Sequence, residues 1–261
     1  MNESFQDKVV VISGGTSGLG LTTAKLFLEA GAIAIVAARS RKRFIANLGQ
    51  PTSHLMFIET DFNDMKSVKS LYEVIADKYK TIDIGINNVG VMDRGPFTEF
   101  KEKDFDSSIN INFKSVWLCM QYQIKMMQKD ALSQKYIINV ASSTALGGTE
   151  FQSLYCSAKA GVVALTKCVA REFAQSNITT NVIIPGPHAT PMILNAIKNE
   201  STTDSHEAEI IENKILESIP MGRLGQPEEF AKTVLWLCTG ENKFISGHTF
   251  IMDGGMSSRY R

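Results

Sequence analysis

The chain has 261 residues, of which 44% are hydrophobic and 21% charged, and its formal net charge is zero. Such a chain is long enough to bury a full core, and its balanced charge argues against a nucleic-acid-binding face. The polar N-terminus and the short apolar runs predict no targeting peptide and no membrane span. The cysteines lack metal-ligand spacing, which favours reduced thiols in a cytoplasmic protein without a metal site.

Short β-branched runs alternate with longer helical patterns along the chain. Strands are predicted at Lys8–Ser13, Ile33–Ala37, Leu55–Glu59, Ile82–Ile86, Tyr136–Val140, Thr179–Ile184 and Thr249–Met252. Helices are predicted at Leu19–Glu29, Lys42–Leu48, Met65–Lys80, Lys103–Met127, Leu154–Ala174 and Pro227–Cys238. Because strands of continuous apolar residues are buried on both faces, we expect one α/β domain over residues 1–261. Its doubly wound parallel sheet (a Rossmann fold) would have seven strands with helices on both faces.

A glycine-rich turn, Ser13–Gly20, joins the first strand to the first helix. Its glycines at 14, 18 and 20 permit a tight turn, close approach of the backbone to a pyrophosphate, and close packing of helix on strand. The helix N-terminus adds backbone N–H donors and a positive dipole end for the anion. This setting predicts a dinucleotide site, with a purely structural turn as the alternative.

The residues after the second strand bear on the choice of cofactor. Dinucleotide folds that select NAD place a carboxylate there, roughly 20 residues after the glycines. This chain has Ala38 and then Arg39, with Arg41 close by, so a guanidinium is available for the 2′-phosphate of NADP. The sequence favours NADP over NAD, unless Arg39 is only a solvated charge at the strand end.

Polar residues also follow the third and fourth strands. Asp61 either accepts a hydrogen bond from the adenine amino group or, with Asn63 and Asp64, caps the next helix. The segment Asn87–Gly90 places amides and a glycine at the sheet edge where a ribose and a nicotinamide would pass. Both segments are therefore candidates for cofactor contacts.

Tyr155 and Lys159 lie four residues apart on a predicted helix, so their side chains share one face. A free phenol titrates near ~10, and lowering its pKa toward neutrality takes about 4 kcal/mol, which a nearby ammonium can supply. The pair predicts a general acid for a carbonyl oxygen or a base for an alcohol. Ser142 precedes the tyrosine by thirteen residues.

These motifs together resemble the short-chain dehydrogenase/reductase family, in its compact single-domain form, over essentially the whole chain. The glycine turn is similar to the family's Thr-Gly-x-x-x-Gly-x-Gly, and Asn87–Gly90 to its Asn-Asn-Ala-Gly. Further matches are Asn112, Ser142, Tyr155, Lys159, the stretch from Pro185 to Met192, the stretch from Gly222 to Glu229, and Asp253-Gly254-Gly255. The resemblance implies hydride transfer between a nicotinamide and a secondary alcohol or ketone.

The resemblance also implies a role for each matched residue. Tyr155 would exchange the proton, Lys159 would hold the nicotinamide ribose and lower the tyrosine pKa, and Ser142 would donate to the substrate oxygen. Asn112 would fix its helix and position a water, and Ser143 competes with Ser142, although only one of them is expected to face the site. The implied cofactor contacts are Gly14, Thr16, Ser17, Gly18, Leu19, Gly20, Arg39, Ser40, Asp61, Phe62, Asn88, Val89, Gly90, Tyr155, Lys159, Pro185, Gly186, His188, Thr190 and Met192.

The alternation of strand and helix patterns stops between Pro185 and Leu224, and we interpret residues at about 188–222 as a substrate lid. His188 stands where the family has an aliphatic residue; it either bonds the substrate or cofactor or leaves its ring in solvent. Apolar substrate contacts are expected from Val91, Met92, Leu146, Phe151, Met192 and Ile193. The lid carries Glu200, Asp204, Glu207, Glu209, Glu212 and Glu217 against only Lys198 and Lys214.

Acyl carrier proteins are acidic and dock on basic surfaces, so an acidic lid favours a small free polyol, sugar or steroid as substrate. A 3-oxoacyl-[acyl-carrier-protein] reductase is the first alternative. A catalytically silent NADP-binding protein and an epimerase or dehalogenase are the others. In this family the helices corresponding to 103–127 and 154–174 pair between subunits, which implies a homotetramer, or else a dimer.

Overall fold

The computed structural model describes residues 5–200 and 205–258, and within them seven parallel strands form one sheet. The strands are β1 (Val9–Ser13), β2 (Ile33–Ala38), β3 (Leu55–Glu59), β4 (Ile84–Asn87), β5 (Lys135–Val140), β6 (Ile178–Pro185) and β7 (Thr249–Met252). Their order is β3-β2-β1-β4-β5-β6-β7, which confirms the predicted Rossmann sheet. The order reverses between β1 and β4, the position at which such sheets open a ligand crevice.

Helices cover both faces of the sheet. They are α1 (Gly18–Glu29), α2 (Arg41–Leu48), α3 (Met65–Lys78), α4 (Glu102–Ile109), α5 (Ser115–Met127), α6 (Ser153–Glu172), α7 (Pro191–Glu200), α8 (Ser205–Ser218) and α9 (Pro227–Leu237). Alternate residues of β1 enter different cores, since side chains of a strand point to opposite faces. Val10 packs in a cluster with Phe27 and Phe230, whereas Val11 packs in one with Leu71 and Val162.

The predicted helix over 103–127 has an interruption. A π-helical segment, Asn110–Lys114, separates α4 from α5 and contains Asn112. Such segments are rare and occur mostly at functional sites. The apolar pattern continues through the segment, so periodicity alone did not indicate the change of winding.

Two helices occupy the segment that was predicted to lack the regular rhythm. No helix was predicted there, yet α7 and α8 both form, with short apolar stripes among charged residues. Of the predicted lid charges, Asp204 and the side chains of Lys198, Glu200 and Glu207 lie outside the described residues. Within the described ranges, none of the helices is long and apolar enough to cross a membrane.

A buried cluster of ion pairs lies at the amino ends of the strands, opposite the carboxyl ends where the cofactor residues were predicted. Lys135 opens β5 and is 1% exposed, and its Nζ donates to Asp83 Oδ1 and Asp130 Oδ2, each at 2.9 Å. Asp83 Oδ2 also accepts from the backbone N–H of Val9 at 2.9 Å. The cluster therefore ties β1, β4 and β5 together at their amino ends, away from the predicted site.

Candidate active site

A cavity of about 1040 Å³ is lined by the segments that follow β1 to β6 and by helices α7 and α8. It brings together every predicted cofactor residue except Gly20. Gly20 serves close packing instead, because a Cβ there would lie 2.5 Å from Asn88 Nδ2 and 2.6 Å from the carbonyl oxygen of Gly14. The predicted cofactor residues other than Gly20 thus line one cavity, and Gly20 packs against Asn88 and Gly14 behind its wall.

The turn after β1 fits an anion such as a pyrophosphate. Gly14 has a φ of 71°, which favours glycine, and α1 begins at Gly18 with its N-terminus at the cavity. Ser17 precedes the helix without forming a side-chain capping bond, so its hydroxyl is not used for that purpose. A dinucleotide is therefore compatible with both the backbone and the helix dipole at this end.

Two arginines line the cavity after β2. They are Arg39, which was predicted, and Arg43, which was not, whereas Arg41 does not line the cavity. Ser40 is the N-cap of α2 and accepts a hydrogen bond from the backbone N–H of Arg43 at 3.2 Å. Ser40 and Arg43 are three positions apart and therefore lie on the same face of the helix. Since Ser40 lines the cavity, Arg43 lines it as well.

For the acidic segment after β3, the two predictions were a cofactor contact and a helix cap, and a different residue lies at each of these places. Asp64 is the N-cap of α3 and accepts from the N–H of Lys66 at 2.9 Å. Asp61 lines the cavity, and its Oδ1 accepts from the N–H of Asn63 at 3.0 Å. Asp61 therefore stays available at the cavity wall while Asp64 caps the helix.

Ser13 is a site residue that the sequence analysis did not single out. Its hydroxyl accepts hydrogen bonds from the backbone N–H groups of Asn88 at 3.0 Å and Val89 at 3.1 Å. The same Oγ donates to the carbonyl oxygen of Ile86 at 3.4 Å. Ser13 thereby joins the glycine turn to the end of β4, and its position at the last residue of β1 was the available signal.

Tyr155, Ser142 and Lys159 meet at the cavity wall. Ser142 lies close enough to Tyr155 for its hydroxyl to lower the tyrosine pKa, and Ser142 Oγ accepts a hydrogen bond from Thr144 Oγ1 at 3.1 Å. Lys159 Nζ lies 5.9 Å from the centre of the tyrosine ring and donates to the carbonyl oxygen of Val140 at 3.0 Å. The structure thus brings together the three residues that were predicted to act on the proton and the substrate oxygen.

The pKa values of this group are set mainly by burial. Burial raises the pKa of Tyr155 to about 12, although the nearby hydroxyl of Ser142 lowers it in part. Burial also lowers the pKa of Lys159 to about 8. The predicted lowering of the tyrosine pKa is wrong for these groups as the structure places them, since desolvation outweighs the stabilisation of the phenolate.

Both serines at the end of β5 line the cavity, so the expectation that only one faces it is wrong. The alternation rule fails because β5 ends at Val140, and Ser142 and Ser143 already belong to a 3₁₀ turn. Ser142 is nevertheless the serine that lies close enough to Tyr155 to lower its pKa.

Asn112 lies behind the cavity wall and is fully buried. Its Oδ1 accepts from the N–H of Val91 at 3.0 Å, and its Nδ2 donates to the carbonyl oxygen of Val91, also at 3.0 Å. A side chain that satisfies both backbone groups of one residue fixes the path of that segment. Asn112 therefore positions the chain that follows Gly90.

The ring of His188 is buried, so the alternative of a solvated ring is wrong. Its Nδ1 donates to the carbonyl oxygen of Gly186 at 2.8 Å, and the ring stands edge-on to Phe230 with centres 6.2 Å apart. A Cβ on Gly225 would lie 2.7 Å from the ring, so the glycine makes room for it. His188 still lines the cavity, beside the predicted carboxamide stretch.

The substrate side of the cavity corrects two further expectations. Leu146 and Phe151 are 44% and 51% exposed and do not line the cavity, whereas the other four predicted apolar contacts do. From α8 the lining residues are Ile211, Lys214, Ile215 and Ser218, which recur at helical spacing. Glu209, Glu212 and Glu217 are exposed and do not line it, so Lys214 is the charged residue that lines the cavity among the described side chains of α7 and α8.

A family sequence profile described as Enoyl-(Acyl carrier protein) reductase matches residues 14–257. The chain belongs to the short-chain dehydrogenase/reductase family. It is therefore an oxidoreductase of this family, whose cofactor class is a nicotinamide dinucleotide. The fold and the order of the motifs agree with this assignment.

Relatives in this family match the chain over nearly its whole length. The chain is 31% identical over 256 residues, 97% of its length, to the 3-oxoacyl-[acyl-carrier-protein] reductase FabG of Thermotoga maritima, of which it covers 98%. The aldohexose dehydrogenase of Thermoplasma acidophilum matches with a TM-score of 0.88 at 26% identity, over 98% of this chain and 96% of that one. The 3-ketoacyl-(acyl-carrier-protein) reductase of Brucella melitensis, solved with NADH, matches with a TM-score of 0.86 at 26% identity, over 97% and 100%.

Proposed function

We propose that the protein is an NADP(H)-dependent oxidoreductase that interconverts a secondary alcohol and a ketone. The observation that supports this most directly is that Tyr155, Ser142 and Lys159 line one cavity, with the buried Lys159 Nζ 5.9 Å from the centre of the tyrosine ring. The group lies on a cavity whose far wall fits a dinucleotide. The bound nicotinamide would supply or accept the hydride.

The protein's own residues would handle the proton and the charge on oxygen. In ketone reduction, the carbonyl carbon would receive a hydride and the oxygen would receive the proton of the Tyr155 hydroxyl, which gives the secondary alcohol. A phenol with a pKa of about 12 is protonated at neutral pH, which suits it to act as the acid. Ser142 would donate a hydrogen bond to the same oxygen, and this stabilises the charge that develops there.

The preference for NADP rests on Arg39 and Arg43. Both guanidinium groups line the cavity after β2, where the adenosine ribose of a dinucleotide is expected to lie. A 2′-phosphate can pair with both of them, whereas the ribose hydroxyl of NAD offers them no charge. We expect the double variant Arg39→Ala/Arg43→Ala to raise the KM for NADPH about tenfold or more. An equal rise in the KM for NADH would contradict this assignment.

Replacing Tyr155 tests the reaction itself. We expect Tyr155→Phe to lower kcat for NADPH-dependent ketone reduction, followed at 340 nm, by about 100-fold or more, because the phenyl ring has no proton to donate. NADPH affinity, measured by fluorescence titration, should stay close to that of the wild type. Tyr79→Phe is the matched control, since Tyr79 ends α3 and does not line the cavity. Unchanged turnover in Tyr155→Phe would refute the proposed acid.

For the substrate, we propose a small free ketone or alcohol, because the exposed carboxylates Glu209, Glu212 and Glu217 of α8 would repel an acidic carrier protein. The second candidate is a 3-oxoacyl group on an acyl carrier protein, which the name of the Thermotoga maritima relative suggests. Arg94 and Lys214 line the cavity and favour an anionic group such as the phosphate of the carrier's prosthetic arm. A panel of free ketones and one carrier-linked 3-oxoacyl substrate separates the two candidates by kcat/KM. A much higher value for the carrier-linked substrate would reverse our order.

We also propose that residues 188–222 act as a substrate lid and that the protein forms a homotetramer, with a dimer as the alternative. On α4 and α5, Phe105 and Trp117 are 50% and 41% exposed, which fits helices that pair between subunits. Light scattering at several concentrations tests the assembly. A monomer for both the wild type and Trp117→Lys would contradict it.

A further inference from the structure

A side chain of α2 ties that helix to the glycine turn. Asn47 Nδ2 donates a hydrogen bond to the carbonyl oxygen of Thr16 at 3.0 Å, between residues 31 positions apart in the chain. Thr16 is 5% exposed and lines the cavity, within the turn that fits a pyrophosphate. Because the acceptor is a carbonyl oxygen, the amide nitrogen is the donor and the direction of the bond is fixed. The bond therefore joins α2 to the part of the cavity wall that would hold the pyrophosphate of a dinucleotide.

Asn47 shares one face of α2 with two residues that line the cavity. Arg43 lies four positions before it and the N-cap Ser40 lies seven positions before it, so the three side chains form one stripe along the helix. Ser40 and Arg43 line the cavity, and Asn47 continues the stripe onto the turn. The contact of Asn47 thus holds the backbone of Arg43, one helical turn away, at a fixed distance from the turn.

The surrounding contacts leave the position of α2 to this hydrogen bond. The turn is anchored without α2, because the N–H of Gly14 donates to a carbonyl oxygen of β2 at 2.8 Å and Asn88 Nδ2 donates to the carbonyl oxygen of Gly14 at 3.4 Å. The helix packs on the sheet through Phe44, which is fully buried, with its ring centre 4.8 Å from that of Phe57 in β3. A hydrophobic contact has no direction of its own, so the rotation of α2 over the sheet depends on polar contacts such as that of Asn47.

We propose that Asn47 is a positioning residue for the choice of cofactor, because it holds Arg43 where the 2′-phosphate of NADP lies when the pyrophosphate occupies the glycine turn. The covalent structure of NADP limits the separation of these two groups. A protein that keeps its two contacts at a matching separation binds such a ligand with a smaller loss of conformational freedom. NAD has no 2′-phosphate, so its affinity does not depend on where Arg43 stands. This inference rests on the proposed function, because it concerns the recognition of the same cofactor.

Fluorescence titration of the reduced cofactors tests the proposal without any substrate. The Kd for NADPH and the Kd for NADH are measured for the wild type, Asn47→Leu, Arg43→Ala and the double variant. Leucine is close to asparagine in size and has a higher helix propensity, so it removes the hydrogen bond without weakening α2. We expect Asn47→Leu to raise the Kd for NADPH about threefold to tenfold, as for the loss of one hydrogen bond, and to change the Kd for NADH less than about twofold. Ala46→Leu is the matched control and should keep both wild-type values, since Ala46 is the exposed neighbour on α2 and does not line the cavity.

The double variant separates the positioning of Arg43 from a general loosening of the site. In the Arg43→Ala background, Asn47→Leu should not raise the Kd for NADPH any further, because no guanidinium is left to position. Asn47→Gln keeps an amide donor and should retain the preference for NADPH. Equal losses for NADPH and NADH in Asn47→Leu, or effects of the two substitutions that add in the double variant, would overturn the inference.

The same titrations distinguish a failure of this inference from a failure of the proposed function. A raised Kd for NADPH in Arg43→Ala, with Asn47→Leu unchanged, rejects only the role of Asn47. An unchanged Kd in Arg43→Ala rejects the contact between Arg43 and the 2′-phosphate, and the role of Asn47 with it, whereas the reaction proposed for Tyr155 does not depend on either.

Discussion

The buried ammonium of Lys159 makes the stability of the protein depend on pH. Lys159 is 2% exposed, and burial lowers its pKa from 10.5 to about 8. Between these two pH values the unfolded chain binds one proton more than the folded protein does, so the free energy of unfolding rises with pH. For a pKa change of this size the rise is about 3 kcal/mol, a large part of the ~5–15 kcal/mol that stabilises a typical domain.

Chemical denaturation from pH 7 to pH 10.5 measures this effect when the wild type is compared with Lys159→Met. The difference between the two proteins isolates the lysine, because the buried thiols of Cys119 and Cys238, whose pKa values burial raises, titrate in both. We expect the wild type to gain about 3 kcal/mol relative to the variant across this range. Lys129→Met replaces an exposed lysine and should give a difference that does not change with pH.

A difference between the wild type and Lys159→Met that stays flat up to pH 10.5 would refute the reasoning. It would mean that water or a counter-charge reaches Lys159 and that the ammonium is not desolvated. The same finding would weaken the account of Tyr155, whose pKa of about 12 has the same physical cause.

Three further changes should alter stability or cofactor binding. Asn112→Ala leaves two buried backbone groups unpaired and should lower the free energy of unfolding by about 2–5 kcal/mol, which thermal and chemical denaturation can check. Asp83→Ala breaks the buried pair with Lys135 and should cost about 3–5 kcal/mol in the same measurement, with nucleotide affinity unchanged. Gly20→Ala forces a Cβ to within 2.6 Å of the Gly14 carbonyl and should cost about 1–3 kcal/mol while raising the Kd for NADPH. A Gly20→Ala protein with wild-type stability would contradict the close packing.

Local patterns predicted the sheet and the cofactor wall well. Strands buried on both faces are continuous apolar runs, so each appears in the sequence as a block of its own. The glycine turn and the Tyr155–Lys159 spacing are equally local, because each depends on residues within one turn or one loop. For this reason the predicted cofactor residues, except the packing residue Gly20, lie on one cavity.

The errors arise where one segment must be placed against another. Arg43, which was not predicted, lines the cavity beside Arg39 because the Ser40 cap sets the rotation of α2. Phe151 was expected to contact the substrate, but it is exposed. Its strained turn places Gln152 at the cavity wall instead. The charge of the segment over residues 188–222 was judged from its whole composition, whereas α8 lines the cavity with one stripe of residues, which includes Lys214.

The sequence by itself determined the sheet and the glycine turn and predicted Tyr155 and Lys159 as the proton-transfer pair. These follow from periodicity, backbone freedom and fixed spacing, which are properties of neighbouring residues. Only the tertiary structure decided that Tyr155 has a high pKa, that His188 is buried and that Asn47 joins α2 to the glycine turn. Burial and hydrogen-bond satisfaction depend on groups that are distant in the chain, and folding alone brings those groups together.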